Sequence, residues 1–419
     1  MRFLKTSLAA YIISMCLVTN YSHAQMQDHK TRLVHTVDSI LKSQVNANKI
    51  PGAVIEIKIG DEVIVKQAYG YAQKYDYNHQ LLAHPDTMAT GTLFDIASLT
   101  KVVGTTTSIM LLVDRGLVHI DDPVSKFIKA FASPDKSSIT IRHLLTHTSG
   151  LYEWYPMYYR ASGKEETFKL IGGLPLGFPV GAGRHYSDLG FTVLGEIIEK
   201  VSGMPLDQFE EQNIFVPLGM GHTMFNPLAK GKHYDIAATS FGNPYEKRMV
   251  YEPSLGYQFK ELKHDQWAGW RHYVLRGEVN DGNAWYAEKG VAGAAGLFST
   301  AEDLQKLVDM LVNHGRIGSK QFISEQTVQT FLTKDQFRNG LGWMMDPENP
   351  VIAGGPAGTF GHTGFTGTSI AVVPSLKISV ILLINRQHEG LIDNKAYYNV
   401  SPVREEIFKA VLRAGERVK

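Results

Sequence analysis

Phe94-Asp95-Ile96-Ala97-Ser98-Leu99-Thr100-Lys101 runs straight into Val102-Val103-Gly104-Thr105-Thr106-Thr107-Ser108-Ile109-Met110-Leu111-Leu112-Val113. The second part is apolar or small on every face, which predicts a helix buried all round. Asp114-Arg115-Gly116 is its stop, with Gly116 in a left-handed cap. Ser98 and Lys101 stand one turn apart, so at the mouth of that helix they share a face. Burial lowers a lysine pKa, and a neutral amine there can take the serine proton. By itself S-x-x-K is weak, since chance supplies roughly one or two in a chain of this length. Three occur: Ser39/Lys42, Ser98/Lys101 and Ser133/Lys136. Ser39 lies in a polar amphipathic stretch, and Ser133-Pro134-Asp135 is turn chemistry. Only Ser98 opens a buried helix.

Upstream, residues 29–48 carry apolar side chains at helical spacing, from Leu33 to Val45, and end at Pro51-Gly52. Residues 53–59 and 62–69 read as strands about a Gly60-Asp61 turn, and residues 75–93 as a polar connection. Downstream the pattern turns helical and rich in loops. His143 and His147 have the i, i+4 spacing of a zinc helix, but Leu144 stands where the glutamate of H-E-x-x-H belongs, so both read as structural. Tyr152 to Tyr159 is aromatic enough to line a cleft, although loop packing explains it equally well. Pro179 to Gly190 is a Gly-rich loop leading into a helix over 191–202, which Asp188 can cap. Gly290 to Thr300 is a tight small-residue stretch, with Ser299 or Thr300 capping a helix over 302–314. Strands over 369–373 and 378–385 and a helix over 403–414 close the chain. Strands at both ends with helices between imply an α+β fold.

The chain has 419 residues and a formal charge of +1, which offers no electrostatic case for nucleic acid or an anionic membrane. Arg2 and Lys5 precede an apolar run over 8–18, and Ser22-His23-Ala24 supplies small residues at a cleavage site. This reads as a secretory signal peptide cut before Gln25, with an uncleaved anchor as the alternative, and places the protein in the periplasm or outside the cell. The single cysteine, Cys16, lies inside that segment, with Met15 before it rather than the small residue of a lipoprotein. The mature chain then has no disulfide.

Ser98-x-x-Lys101, Tyr186-Ser187-Asp188 and His362-Thr363-Gly364 stand in the order and approximate spacing of three motifs. In this the chain resembles the serine penicillin-recognising enzymes: class C β-lactamases, low-molecular-weight penicillin-binding proteins and related esterases, the peptidase S12 type. Pro217-Leu218-Gly219-Met220, Val291-Ala292-Gly293 and Gly340-Leu341-Gly342-Trp343 extend the similarity over nearly the whole mature chain. Leu81 to Pro85, Phe225-Asn226-Pro227-Leu228 and Asp281 to Tyr286 make it more similar to the 4B-type penicillin-binding proteins, D-alanyl-D-alanine carboxypeptidases.

The resemblance implies a class C β-lactamase-like, transpeptidase-like fold, an antiparallel sheet flanked by terminal helices with an inserted all-helical domain. Its expected limits are 1–24 for the signal, 25–115 with 276–419 for the sheet domain, and 116–275 for the helical domain, 225–275 being a polar excursion. It implies that Ser98 attacks a carbonyl to form an acyl-enzyme, with Lys101 and Tyr186 sharing the proton. Asp188, His362, Thr363, Gly364 and Phe365 would bind substrate, the Ser98 and Phe365 N–H groups forming an oxyanion hole. No metal or organic cofactor is needed. The implied ligands are peptidoglycan peptides or small esters and amides, with β-lactams as covalent ligands, and the implied state is a monomer. Asp188 replaces the usual Asn of the second motif and His362 the frequent Lys of the third. Both variants resemble the carboxypeptidase and esterase branches more than efficient β-lactamases. A protonated His362, its pKa near 6.5, would meet a substrate carboxylate, with Arg184 or Arg338 as the other candidates. The rival activities are esterase or D-amino-acid peptidase on the same fold, or a non-hydrolytic penicillin sensor.

Overall fold

The structure, a computed structural model, describes residues 30–416 except 258, 260, 264, 265 and 394. The expected signal segment, 1–24, lies outside them.

Residues 30–46 are helical, and the chain then makes the expected hairpin, β1 (Gly52–Ile59) and β2 (Glu62–Tyr75). A strand that composition did not announce, β3 (Leu81–Thr87), follows where a polar connection was expected. It is an exposed edge strand with Pro85 in it, so it lacks the alternation that marks half-buried strands. Two-residue β4 (Phe94–Asp95) leads to Ser98 and pairs with β6 (Leu297–Ser299), which also pairs with β5 (Met224–Phe225). A small hairpin, β7 (Arg316–Ile317) and β8 (Lys320–Gln321), precedes β9 (Phe360–Thr363), β10 (Ser369–Val373) and β11 (Ile378–Ile384).

The main sheet is antiparallel in the order β3-β2-β1-β11-β10-β9, so Ala53 faces Ile384 across strands from the two ends of the chain. β1 and β11 are almost wholly buried because both faces are covered. Along β1, Ala53, Ile55 and Ile57 join Val380 and Leu382 of β11 with Val37 and Leu41 of the first helix and Ile407 and Phe408 of the last helix, Ser401–Glu416. Val54, Ile381 and Leu383 point the other way, against Leu99, Val102 and Val103 of the serine segment. The period of two thus separates a layer of terminal helices from the helices that carry the site.

Between Thr92 and Leu112 only Ser98 escapes full burial. The buried helix is present but opens irregularly: a 3₁₀ turn at Ala97–Leu99, a π-helical stretch at Lys101–Thr106, then α-helix at Thr107–Asp114. Gly104 lies in the π stretch, where a Cβ would stand 2.2 Å from the Glu210 carboxylate. The small residues near 290–296 are explained by crowding: a Cβ on Gly293 would come within 2.2 Å of the Phe191 carbonyl. Residues 225–275, expected as an excursion at the surface, instead bring Asn243, Tyr245, Glu246 and Tyr257 onto the cleft beside Ser98.

Candidate active site

Ser98 sits on a backbone turn fixed from both sides. Ala97, just before it, has φ +46°, a region that costs a non-glycine residue free energy. Asp95 holds that turn: its Oδ1 accepts from Ala97 N–H at 2.8 Å and its Oδ2 from Asn280 N–H at 2.6 Å. The third motif is fastened to the same turn. Thr366 and Thr368 donate to the carbonyls of Asp95 and Ile96 at 2.8 and 3.0 Å. A Cβ at position 364 would meet the Ile96 carbonyl at 2.4 Å, so only glycine lets the strand end approach. Phe365 therefore shares the cleft wall with Ser98, and its carbonyl accepts from Arg386 at 2.8 Å and Gln387 at 3.2 Å.

Lys101 is 1% exposed. Its ammonium donates to Ser98 Oγ at 3.0 Å and Ala294 O at 2.8 Å, and pairs with Asp188 Oδ1 at 2.7 Å. Burial alone would favour a neutral amine, as expected from the sequence, but the Asp188 carboxylate and Tyr186 outweigh it and hold the pKa above its ordinary value. That expectation is therefore corrected: the resting side chain is a charged ammonium. Tyr186 lies within hydrogen-bond reach of Ser98 and Lys101; burial raises its phenol pKa, partly countered by the Lys101 charge.

The second motif rests on a histidine whose part the spacing did not reveal. His147 is outside the preceding helix, Ile141–Leu145, and its ring packs 4.4 Å from the Tyr186 ring. Its Nδ1 accepts from the Ser187 N–H at 3.0 Å, and its carbonyl from the His185 N–H at 2.8 Å. His143 serves its own helix start, in a capping box with Thr140. The helix Asp188–Ser202 is capped by Ser187, not by the expected Asp188: Ser187 Oγ accepts from Gly190 N–H at 3.2 Å. That leaves the Asp188 carboxylate free to turn to Lys101.

His362 is 1% exposed, on β9. Its Nδ1–H donates to the Thr363 carbonyl at 2.9 Å. Burial, with the Lys101 charge adding to it, pushes its pKa down to about 3. The expected protonated His362 is thus corrected to a neutral imidazole, which cannot pair with a carboxylate as a cation. Of the other candidates, Arg338 is held by Asp346 and Glu348 at 3.2 and 3.0 Å. Arg184 lies behind the Tyr186 ring, 5.7 Å from its centroid, with Nε buried and unpartnered.

A cavity of about 330 Å³ opens over Ser98, walled by Tyr186, Asp188, Phe365 and Trp154. Glu246 and Asn280 also line it, and no motif pointed to them; Glu153 joins it from the aromatic stretch expected to suit a cleft, and Asp281 from the stretch Asp281 to Tyr286 that carried the resemblance. Four of the sequence-predicted residues, Ser98, Tyr186, Asp188 and Phe365, meet at this cavity, with Lys101 immediately beneath. His362 lies behind Tyr186, ring centroids 6.1 Å apart.

The chain is similar to known proteins over most of its length. The family model described as Beta-lactamase matches residues 37–403. A protein of Salmonella typhimurium named "Putative D-alanyl-D-alanine carboxypeptidase" is 32% identical over 417 residues, 94% of this chain and 92% of that one. Two solved structures share the fold: EstCE1, a hydrolase with promiscuous acyltransferase activity (TM-score 0.65, 21% identity, 91% of this chain and 99% of that one), and the octameric penicillin-binding protein homologue from Pyrococcus abyssi (TM-score 0.64, 23% identity, 91% and 77%).

Proposed function

Because the chain belongs to the Beta-lactamase family of serine penicillin-recognising proteins, we propose that it is an exported serine hydrolase working through an acyl-enzyme on Ser98. Its proposed reaction is removal of the terminal D-alanine from peptidoglycan stem peptides, with penicillin as a covalent ligand. The observation that carries this reading is the contact of Ser98 Oγ with Lys101 Nζ at 3.0 Å at the floor of an open cavity. Once the Lys101–Tyr186 pair has released a proton, Ser98 Oγ attacks the carbonyl carbon, and its own proton passes into that pair. The tetrahedral intermediate collapses to the ester as the leaving amine takes up that proton. Water then cleaves the ester, and Ser98 is restored. The oxyanion would be met by the Ser98 and Phe365 N–H groups, where pre-aimed donors are each worth about 3 kcal/mol.

A second reading, an esterase acting on uncharged acyl donors, is favoured by the neutral His362, which leaves the third motif without its usual cation. Intact-mass analysis with penicillin, followed by digestion of muropeptides, tests the first reading. Ser98→Ala should abolish adduct and turnover, whereas Ser39→Ala and Ser133→Ala should leave both. An adduct that survives in Ser98→Ala overturns the assignment. Turnover of esters without release of D-alanine selects the second reading.

A further inference from the structure

Arg386 opens the 3₁₀ turn Arg386–Glu389 that follows β11, and its guanidinium reaches across to the third motif. Nε and Nη2 both donate to the Phe365 carbonyl, at 3.0 and 2.8 Å. Gln387 Nε2 adds a third donor to the same oxygen at 3.2 Å. The guanidinium also lies over the Phe365 ring, 5.3 Å from its centroid, while Nη1 donates to the Tyr398 carbonyl at 3.1 Å. Among the described residues no carboxylate lies within ion-pair distance of Arg386, and burial holds its pKa below the ordinary arginine value.

A second guanidinium closes the other end of the same turn. The Thr368 carbonyl accepts from Gly364 N–H at 2.7 Å and from Arg404 Nη2 at 2.9 Å. Burial, then the Arg386 charge, pushes Arg404 down to about 9, and its Nε is buried without a partner. Two like charges packed on one short turn repel each other and forfeit hydration. Thr366 and Thr368 already tie the turn to the serine segment, so attachment alone does not call for that cost. What Arg386 adds is a grip on Phe365 itself, at the carbonyl and at the ring. One polar main-chain group of Phe365 is left over: among the described residues nothing accepts from its N–H. That N–H belongs to a residue of the cleft wall beside Ser98.

We infer that Arg386 is a positioning residue for acylation, holding Phe365 by its carbonyl so that the free Phe365 N–H stays aimed at the oxygen on which charge develops. The inference rests on the acyl-enzyme reading and adds to it a residue outside the three motifs. A charged fork fixes a carbonyl in one orientation, which a single neutral amide donor does not. Without the fork, residue 365 can rotate about its backbone torsions and carry the N–H off line. A group misplaced by about 1 Å can cost on the order of a hundredfold in rate.

The test follows fluorophosphonate labelling of the full chain by intact mass from pH 6 to 9. Ser98 Oγ displaces fluoride from phosphorus, its proton passes into the deprotonated Lys101–Tyr186 pair, and the phosphoryl oxygen takes the oxyanion position. Arg386→Met keeps the stem but removes donors and charge. Its labelling should slow at least tenfold at every pH, with the ascending limb of the profile unmoved. Arg386→Lys keeps a charged donor without the fork. It should label at least threefold faster than Arg386→Met and at least twofold slower than wild type. A merely loosened cleft would disturb Lys101 and Tyr186 and move the limb. A rate within twofold of wild type in Arg386→Met, a moved limb, or equal rates in the two variants overturns the inference and leaves the acyl-enzyme reading standing. Where Arg386→Met fails to fold, Arg386→Lys decides alone, and parity with wild type or a moved limb overturns the inference. A wild-type chain that takes no label on Ser98 overturns the acyl-enzyme reading and the inference with it.

Discussion

Asp188 Oδ1 stands 2.7 Å from Lys101 Nζ, and this contact, with Tyr186 beside it, outweighs the burial that would make the lysine neutral. A base must lose its own proton before it can take one from Ser98, so raising its pKa moves the ascending limb of the rate profile to higher pH. Asp188→Asn removes the anion and keeps the shape. Its acylation rate should climb at lower pH than wild type, by one pH unit or more. Stopped-flow acylation across pH 6–10 checks this. Superimposable profiles would show that Asp188 does not set the charge of Lys101.

Lys101 and Tyr186 lie within hydrogen-bond reach of each other and of Ser98. Lys101→Ala and Tyr186→Phe should each lower kcat/KM by roughly a hundredfold or more. Groups that act as one unit lose their function once. The double variant should therefore fall far short of the product of the two losses, and strict additivity would assign them to separate steps.

His362, with its pKa near 3, is uncharged from pH 5 to 8. Its titration should therefore leave no limb near pH 6.5 in kcat/KM, on carboxylate-bearing peptides or on esters. His362→Asn should lower the height of the profile without changing its shape in that window. A limb near 6.5 that disappears in the variant would return the cationic role to this ring.

Glu210 is 0% exposed, and neither carboxylate oxygen has a partner. Burial raises its pKa well above the usual range. The sign follows from proton counting. Above pH about 4.3 the unfolded carboxyl ionises while the folded one stays protonated, so stability falls by about 1.4 kcal/mol per pH unit until the folded pKa is passed. Glu210→Gln removes that penalty and keeps the volume beside Gly104. Its gain in denaturant midpoint should be larger at pH 8 than at pH 5. A gain independent of pH would mean that the carboxyl is already ionised in the native state.

The nucleophile was legible because its signals are local: Ser98 and Lys101 lie one turn apart, and the run after them has no polar face. The hairpin of β1 and β2 was legible for the same reason. The charge of Lys101 was not, since its sign depends on a carboxylate delivered by another helix. His362 misled in the same way. A histidine beside a glycine suggests nothing about burial, and it is neutral because the fold buries it on β9 with the Lys101 charge nearby. Glu246 and Asp281 come from two separate segments, and only the fold places them on one wall. β3 escaped notice because an exposed edge strand buries too little for alternation to appear.

β1 is paired with β11, and the turn at Ser98 is braced by Thr366 and Thr368 from beyond β9. Loop closure over such a span must be met before these contacts return any stability. On the ribosome, Ser98 emerges early and waits for its supports until β11 has been made. A product truncated before β11 should carry the whole S-x-x-K motif yet show no reactive serine.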